Sequence, residues 1–130
     1  MTPGFIRRRK LPEEFPVDGP DAPPEAWTIG YLSDVILTRD TWMHRSDLAA
    51  ATGRPMVLTR EHDGVLVADV VAEWALRHGQ PCSLTLSGPA GGSWSWGRGG
   101  PSYELDAVDF CRILSGRGVG AGLLTRPVPF

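Results

Sequence analysis

Residues 82–105, CSLTLSGPAGGSWSWGRGGPSYEL, decide the fold class because apolar and small polar residues alternate in them over short distances. Leu84 and Leu86, and after them Trp94 and Trp96, follow the two-residue period of a half-buried strand. Gly-rich turns separate the segments, which favours hairpins between consecutive strands. We therefore predict a small antiparallel sheet of three or four strands. The predicted strands are 82–88, 92–97 and 102–105, and the apolar tail is a candidate for a fourth, edge strand, although its prolines limit pairing.

Helices are predicted before and after these strands in the sequence. Residues 25–53 contain no proline, and Gly53 provides a stop signal, so they predict one long helix with a kink near Gly30. Two shorter helices are predicted by apolar residues at helical spacing: Val67, Val70, Val71 and Trp74, then Ala107, Phe110, Cys111 and Leu114. The fold class is therefore α+β: a long N-terminal helix, a second helix, the sheet and a C-terminal helix.

The chain divides into three parts by composition. Residues 1–24 hold six prolines among scattered charges, which predicts an arm or linker without a regular helix. Residues 25–53 form the long helix, and residues 60–130 are predicted to form a small α+β domain.

Composition argues against several classes of function. A net charge of −2 and a single basic run at residues 7–10, beside prolines, predict no binding to nucleic acid. No apolar stretch reaches the length of a membrane span, and no signal peptide is visible. Cys82 and Cys111 lack CxxC spacing and are predicted to be reduced, buried thiols, so we expect a cytoplasmic protein.

A polar stripe lies within residues 39–48, RDTWMHRSDL. Asp40, His44 and Asp47 are spaced i, i+4 and i+7, so a helix places them on one face. Their neighbours on that face are apolar: Ile36, Met43, Leu48 and Ala51. A solvated face would carry further charges, so we expect the stripe to point inward.

Two interpretations of an inward stripe stay open. In the first, His44 is held by Asp40 or Asp47 in a satisfied polar cluster. In the second, Asp40 and His44 are ligands of a divalent metal, and Asp47 orients the imidazole. Two ligands are too few for a metal site, so at least one more must come from elsewhere.

Several longer stretches carry a family resemblance. The segments TRDTWMHRSDLAAATG, HDGVLVADVVAEW, LTLSGPAGGSW and DFCRILSGRG resemble the mycothiol-dependent maleylpyruvate isomerase family. Members of that family combine a DinB-like metal-binding helical bundle with a small sterol-carrier-like α+β domain. The similarity covers nearly the whole chain and corresponds to the C-terminal half of a typical member.

The resemblance implies a metal site and a chemistry. The acid-x-x-x-His pair of the last bundle helix maps onto Asp40 and His44, with zinc as the expected ion and mycothiol as the thiol cosubstrate. The implied reaction is thiol-dependent cis–trans isomerisation. Arg98 and Arg117 are the candidate anchors for substrate carboxylates.

The family's remaining histidine ligand belongs to an earlier helix, and no histidine precedes Asp40 in this chain. His62 and His78 are weak substitutes, because each suits a helix end. We therefore expect a truncated protein that is inactive alone and completes its site by self-association, or with a partner chain, through the helix at 25–53. The alternative is a non-catalytic binding or interaction module built on the sterol-carrier-like domain, with Trp94 and Trp96 as its platform.

Overall fold

The computed structural model describes residues 27–130, and its helices and three-stranded sheet confirm the α+β prediction. The predicted arm at 1–24 lies outside the described residues. The regular elements are α1 (Ile29–Tyr31), α2 (Leu37–Thr52), α3 (Val65–His78), β1 (Cys82–Ser87), β2 (Gly92–Trp96), β3 (Ser102–Asp106) and α4 (Ala107–Leu114). These elements fall into two compact units, residues 27–45 with 129–130 and residues 46–128, and the division passes through α2.

The long N-terminal helix begins at Ile29, later than predicted, and ends at Thr52, with its irregular part just after Gly30. The hydroxyl of Thr28 caps the start by accepting a hydrogen bond from the backbone N–H of Tyr31 at 3.0 Å. A π-helical turn, Leu32–Ile36, then leads into α2. A π-helical turn holds more residues than an α-helical turn. Residues before and after it therefore do not share a face in the way that a regular helical wheel predicts.

Arg39 is a charged residue that is buried in the first unit. Its Nη1 donates a hydrogen bond at 3.0 Å to the carbonyl oxygen of Pro129. Its guanidinium carbon lies 5.8 Å from the centre of the Phe130 ring. The C-terminal residues therefore supply the partners that make burial of this cation tolerable.

Helix α3 has a capped start and ends at a glycine. The backbone N–H of Thr59 donates to Oδ2 of Asp63 at 2.7 Å ahead of a π-helical turn, Arg60–Gly64. Gly79 ends α3 in the left-handed conformation with φ of 61°. The predicted apolar face is confirmed as buried: Val67, Val70, Val71 and Trp74.

The sheet is mixed, so the predicted all-antiparallel meander is wrong. Its strand order is β2-β1-β3, with β2 antiparallel and β3 parallel to β1. The segment 97–101 passes across the start of β1, where Ser83 N–H donates to the carbonyl oxygen of Pro101 at 3.0 Å. Gly100 has φ of +81° there, and a Cβ at this position would collide with the Pro81 carbonyl. The glycine-rich run therefore serves a close crossover and not a hairpin.

Trp74 lies at the centre of the second unit. Its ring makes edge-to-face contacts with Phe110 at 5.4 Å, Trp96 at 6.0 Å and Tyr103 at 6.2 Å. Its indole N–H donates to the carbonyl oxygen of Leu123 at 2.9 Å.

The tail forms a 3-10 turn, Gly122–Thr125, and not the predicted edge strand. The Tyr103 hydroxyl accepts a hydrogen bond from Leu123 N–H at 2.9 Å. Side chains thus satisfy the backbone groups of Leu123, and Val128 N–H donates to the carbonyl oxygen of Leu114 at 3.2 Å, without a strand ladder.

Within residues 27–130, no helix combines the length and apolar character needed to cross a membrane.

Candidate functional site

Asp40 and His44 lie one helical turn apart in α2 with their donor atoms facing each other. The Nε2 atom of His44 is 3.3 Å from Oδ2 of Asp40. Their side chains are 65% exposed for His44 and 48% exposed for Asp40, so the prediction that this pair points inward is wrong for the single chain.

The reason is that the buried face of the helix is not the predicted one but lies one residue position away around the helix. Ile36, Arg39, Trp42 and Met43 are the buried residues of this part of the helix. Asp40 and His44 each follow a buried position, so they lie about 100° around the helix from it. The apolar neighbours counted in the sequence lie on both sides of the stripe, and only one side packs.

The separation of the two donor atoms fits a shared zinc ion. Zinc holds imidazole nitrogen and carboxylate oxygen at about 2.0–2.2 Å in a tetrahedron, which places two ligand atoms about 3.4 Å apart. Among residues 27–130, no group of three or more His, Cys, Asp and Glu side chains could hold a metal ion. The pair therefore offers two candidate ligand atoms on an accessible surface, and a zinc site here would need further ligands from outside residues 27–130.

His62 and His78, the other two histidines, have contacts typical of helix ends. The backbone N–H of His62 donates to the capping hydroxyl of Thr59 at 3.3 Å. Nδ1 of His78 accepts a hydrogen bond from Gln80 N–H at 2.9 Å, and its ring packs edge-on against Trp74 at 4.3 Å. Burial, together with the positive charge of Arg126, lowers the pKa of His78. This histidine is therefore held as a neutral ring.

Asp47 is the centre of an ionic cluster in the second unit. Its Oδ1 accepts hydrogen bonds from Arg117 Nε at 2.8 Å and from Arg112 Nη1 at 3.0 Å, while its Oδ2 accepts from Arg117 Nη2 at 2.9 Å. Arg112 Nη1 also donates to the Ser46 hydroxyl at 2.9 Å. We call Ser46, Asp47, Arg112 and Arg117 the Asp47 cluster. Its arginines, Arg117 first, hold the pKa of the Asp47 carboxyl below its usual value against the opposing effect of burial.

The Asp47 cluster adds a residue that the sequence did not indicate. Arg112 has no predicted role. It lies opposite the apolar face of α4, and this position is the sequence signal that indicates a side chain able to pair with a carboxylate. The orienting role of Asp47 toward His44 stays a prediction. Arg117 keeps donors that are not used by Asp47, so its predicted role toward a carboxylate substrate also stays a prediction.

Two shallow grooves flank Arg112 in the second unit. The first has a volume of about 410 Å³ and is lined by Leu105, Asp109, Arg112, Ile113, Arg117 and Val119. The second has a volume of about 490 Å³ and is lined by Ser46, Ala49, Arg54, Met56, Asp109 and Arg112, among others. Arg98 is exposed in the crossover segment and lines neither groove, so the structure does not bring the two predicted substrate anchors together in either of them.

Trp94 and Trp96 contribute to packing. Trp96 contacts the rings of Trp74 at 6.0 Å and His78 at 6.5 Å. The ring of Trp94 lies over Gly92, where a Cβ would be 2.9 Å from it. Both tryptophans are half-buried, and their role as a ligand platform stays a prediction.

Cys82 and Cys111 are free and buried. Burial raises the pKa of the Cys82 thiol, although its Sγ lies 3.8 Å from Nε2 of His78. Neither cysteine is placed to act as an accessible thiolate.

Comparison of the chain with protein-family models, with curated proteins and with solved structures gives no match in any of the three. The family resemblance carried by the sequence segments thus stays a prediction, and the functional conclusion depends on the geometry of the site.

Proposed function

We propose that this chain is a metal-binding protein of the maleylpyruvate isomerase type, in which Asp40 and His44 supply two ligands of a zinc ion. We place the other ligands outside residues 27–130, on a second copy of the chain or on a partner chain, so a single chain is inactive. The proposal depends on one observation: a carboxylate oxygen and an imidazole nitrogen lie 3.3 Å apart on an accessible helix face. That spacing suits one ion shared between them.

The nature of the donors favours zinc over magnesium or calcium. Imidazole nitrogen suits zinc and other transition metals, whereas magnesium and calcium prefer oxygen ligands. As a contact between two exposed side chains one turn apart, the pair contributes little to stability. The same exposure leaves both donor atoms open to an ion from solution.

The resemblance supplies the chemistry of the proposal. Mycothiol is the proposed thiol cosubstrate, and zinc when bound lowers the pKa of a thiol so that the thiolate is present at neutral pH. Because both cysteines of the chain are buried, the thiol must come from a separate molecule. Arg117 borders the first groove beside Arg112, which suits a carboxylate-bearing substrate, and Arg98 is a second candidate anchor. We also propose a cytoplasmic location, in keeping with two free thiols.

Metal analysis of the full chain tests the proposal. Protein purified without chelator and dialysed against limiting zinc should retain the metal, and His44→Ala should lose it. His62→Ala is the matched control, because His62 is also exposed but faces no carboxylate within residues 27–130. Equal zinc content in wild-type and His44→Ala protein would show that the pair is not the site.

A second candidate function is a non-catalytic binding module formed by the small α+β domain. The two grooves flanking Arg112 favour it, because they offer a mixed apolar and charged surface independent of Asp40 and His44. A chain that binds no zinc but takes up a carboxylate ligand in nuclear magnetic resonance titrations, with shifts confined to groove residues, would support this alternative.

A further inference from the structure

We infer that the missing zinc ligands come from a second copy of this chain. In this arrangement, two Asp40–His44 pairs related by a two-fold axis enclose one ion. The inference rests on the proposed function, because it requires that Asp40 and His44 bind metal, and it adds the partner and the stoichiometry of the site.

The number of donors is the first argument. A closed zinc site has four ligands, and each chain offers two that already face each other. A two-fold axis presents the same surface of both copies to each other, so it brings two identical pairs together without any additional residue. The result is a site of two imidazole nitrogens and two carboxylate oxygens.

The shape of the helix around the pair is the second argument. Leu37, one turn before Asp40, is 52% exposed, and Leu48, one turn after His44, is 65% exposed. Both leucines belong to α2 and are spaced three or four residues from the pair, so they border it along one side of the helix. A helix from a second copy lying across this side would bury both leucines while the donor atoms meet.

Charge is the third argument, and it makes association depend on the metal. Two copies that meet at this face bring two Asp40 carboxylates together, which repel each other without a cation. One zinc ion neutralises both carboxylates and binds both imidazoles. We therefore expect monomers without zinc and dimers with it.

Other nitrogen ligands from a second copy are less suitable. The sequence contains three histidines. Nδ1 of His78 already accepts a hydrogen bond, and the ring packs against Trp74. These contacts make His78 a poor zinc ligand for a second copy. His62 is exposed and is the remaining competitor, which makes it the control residue for the experiment.

Light scattering during a zinc titration of the full chain tests the inference. The expected result is a doubling of the mass from 14.1 kDa, complete at one zinc per two chains. Cobalt in place of zinc should give the intense visible absorption of a tetrahedral site. His44→Ala should abolish both responses, and His62→Ala should change neither.

A surface variant checks that the helix face itself forms the contact. Leu48→Ser removes the apolar side chain without adding a charge or a strong zinc ligand, and it should raise the zinc concentration for half-dimerisation severalfold. Leu76→Ser is the matched control, because Leu76 is 84% exposed on α3, and it should leave that concentration unchanged.

The contrary outcomes separate this inference from the proposed function. A monomer that binds one zinc through His44 would overturn the second-copy inference and leave the proposed function standing. A chain that binds no zinc would overturn both. A dimer that forms without zinc and survives His44→Ala would also overturn the inference, since the metal would then have no part in association.

Discussion

Arg117 holds both carboxylate oxygens of Asp47, through Nε at 2.8 Å from Oδ1 and Nη2 at 2.9 Å from Oδ2. The two residues are 70 positions apart in sequence, so this two-pronged contact joins the C-terminal end of α2 to the segment after α4. Such parallel hydrogen bonds fix orientation as well as distance.

Asp47→Asn should destabilise the second unit by about 1 kcal/mol, because the amide keeps the shape of the side chain but loses its charge toward two arginines. The loss stays small because the side chains of the pair are partly exposed and water screens them. Urea unfolding measures the change. Asp109→Asn, an exposed carboxylate on α4, is the control and should change the free energy of unfolding by less than about 0.5 kcal/mol.

His78 should make stability depend on pH below neutrality. Its pKa in the folded chain is lowered from the ordinary value of 6.5, so the unfolded chain binds a proton more readily. The stability that the neutral ring provides is thus fully present above pH 6.5, and it is lost as the pH falls from there through the lowered pKa.

Thermal unfolding of the wild type between about pH 7.5 and 5 measures this dependence. His78→Asn keeps a side-chain acceptor near Gln80 N–H but does not titrate, so its melting temperature should fall less steeply over the same range. His62→Asn is the control and should follow the wild type. A wild-type curve that is flat across this range would contradict the assignment.

Gly100 should tolerate no side chain, because two separate effects oppose one. Its φ of +81° is unfavourable for an L-residue, and a Cβ would collide with the carbonyl of Pro81. We expect Gly100→Ala to cost about 3 kcal/mol or more, since the backbone must move to relieve the collision.

Gly99→Ala separates these two effects. Gly99 has a similar φ of +75°, but a Cβ at this position would meet nothing within 4 Å, so only the conformational cost of about 1 kcal/mol applies. Equal losses for the two variants in chemical denaturation would show that the crossover does not pass as closely to Pro81 as described.

The fold class was predictable because periodicity records which residues are buried, and the four apolar residues of α3 are all buried as expected. The direction of β3 was not, because a glycine-rich run allows a hairpin and a crossover equally well. The exposure of Asp40 and His44 was not predictable either. A helix wheel shows that a polar stripe has apolar neighbours on both sides, but it does not show which side packs against the rest of the protein. The burial of Arg39 depends on Pro129, 90 positions away, and no local pattern encodes such a partner.

Tyr103→Phe should loosen the tail without disturbing the sheet. The substitution removes the hydroxyl that accepts Leu123 N–H at 2.9 Å and leaves the ring contact with Trp74 in place. A lost hydrogen bond of this kind costs about 1 kcal/mol, and we expect the cost to appear first as local opening of the 3-10 turn.

Hydrogen exchange measures this local opening: the Leu123 amide should exchange several times faster in the variant, while amides of β1 keep their protection. Ser95→Ala, on the exposed side of β2, is the control. If Leu123 exchanges at the same rate in Tyr103→Phe as in that control, the Tyr103 hydroxyl does not hold the 3-10 turn.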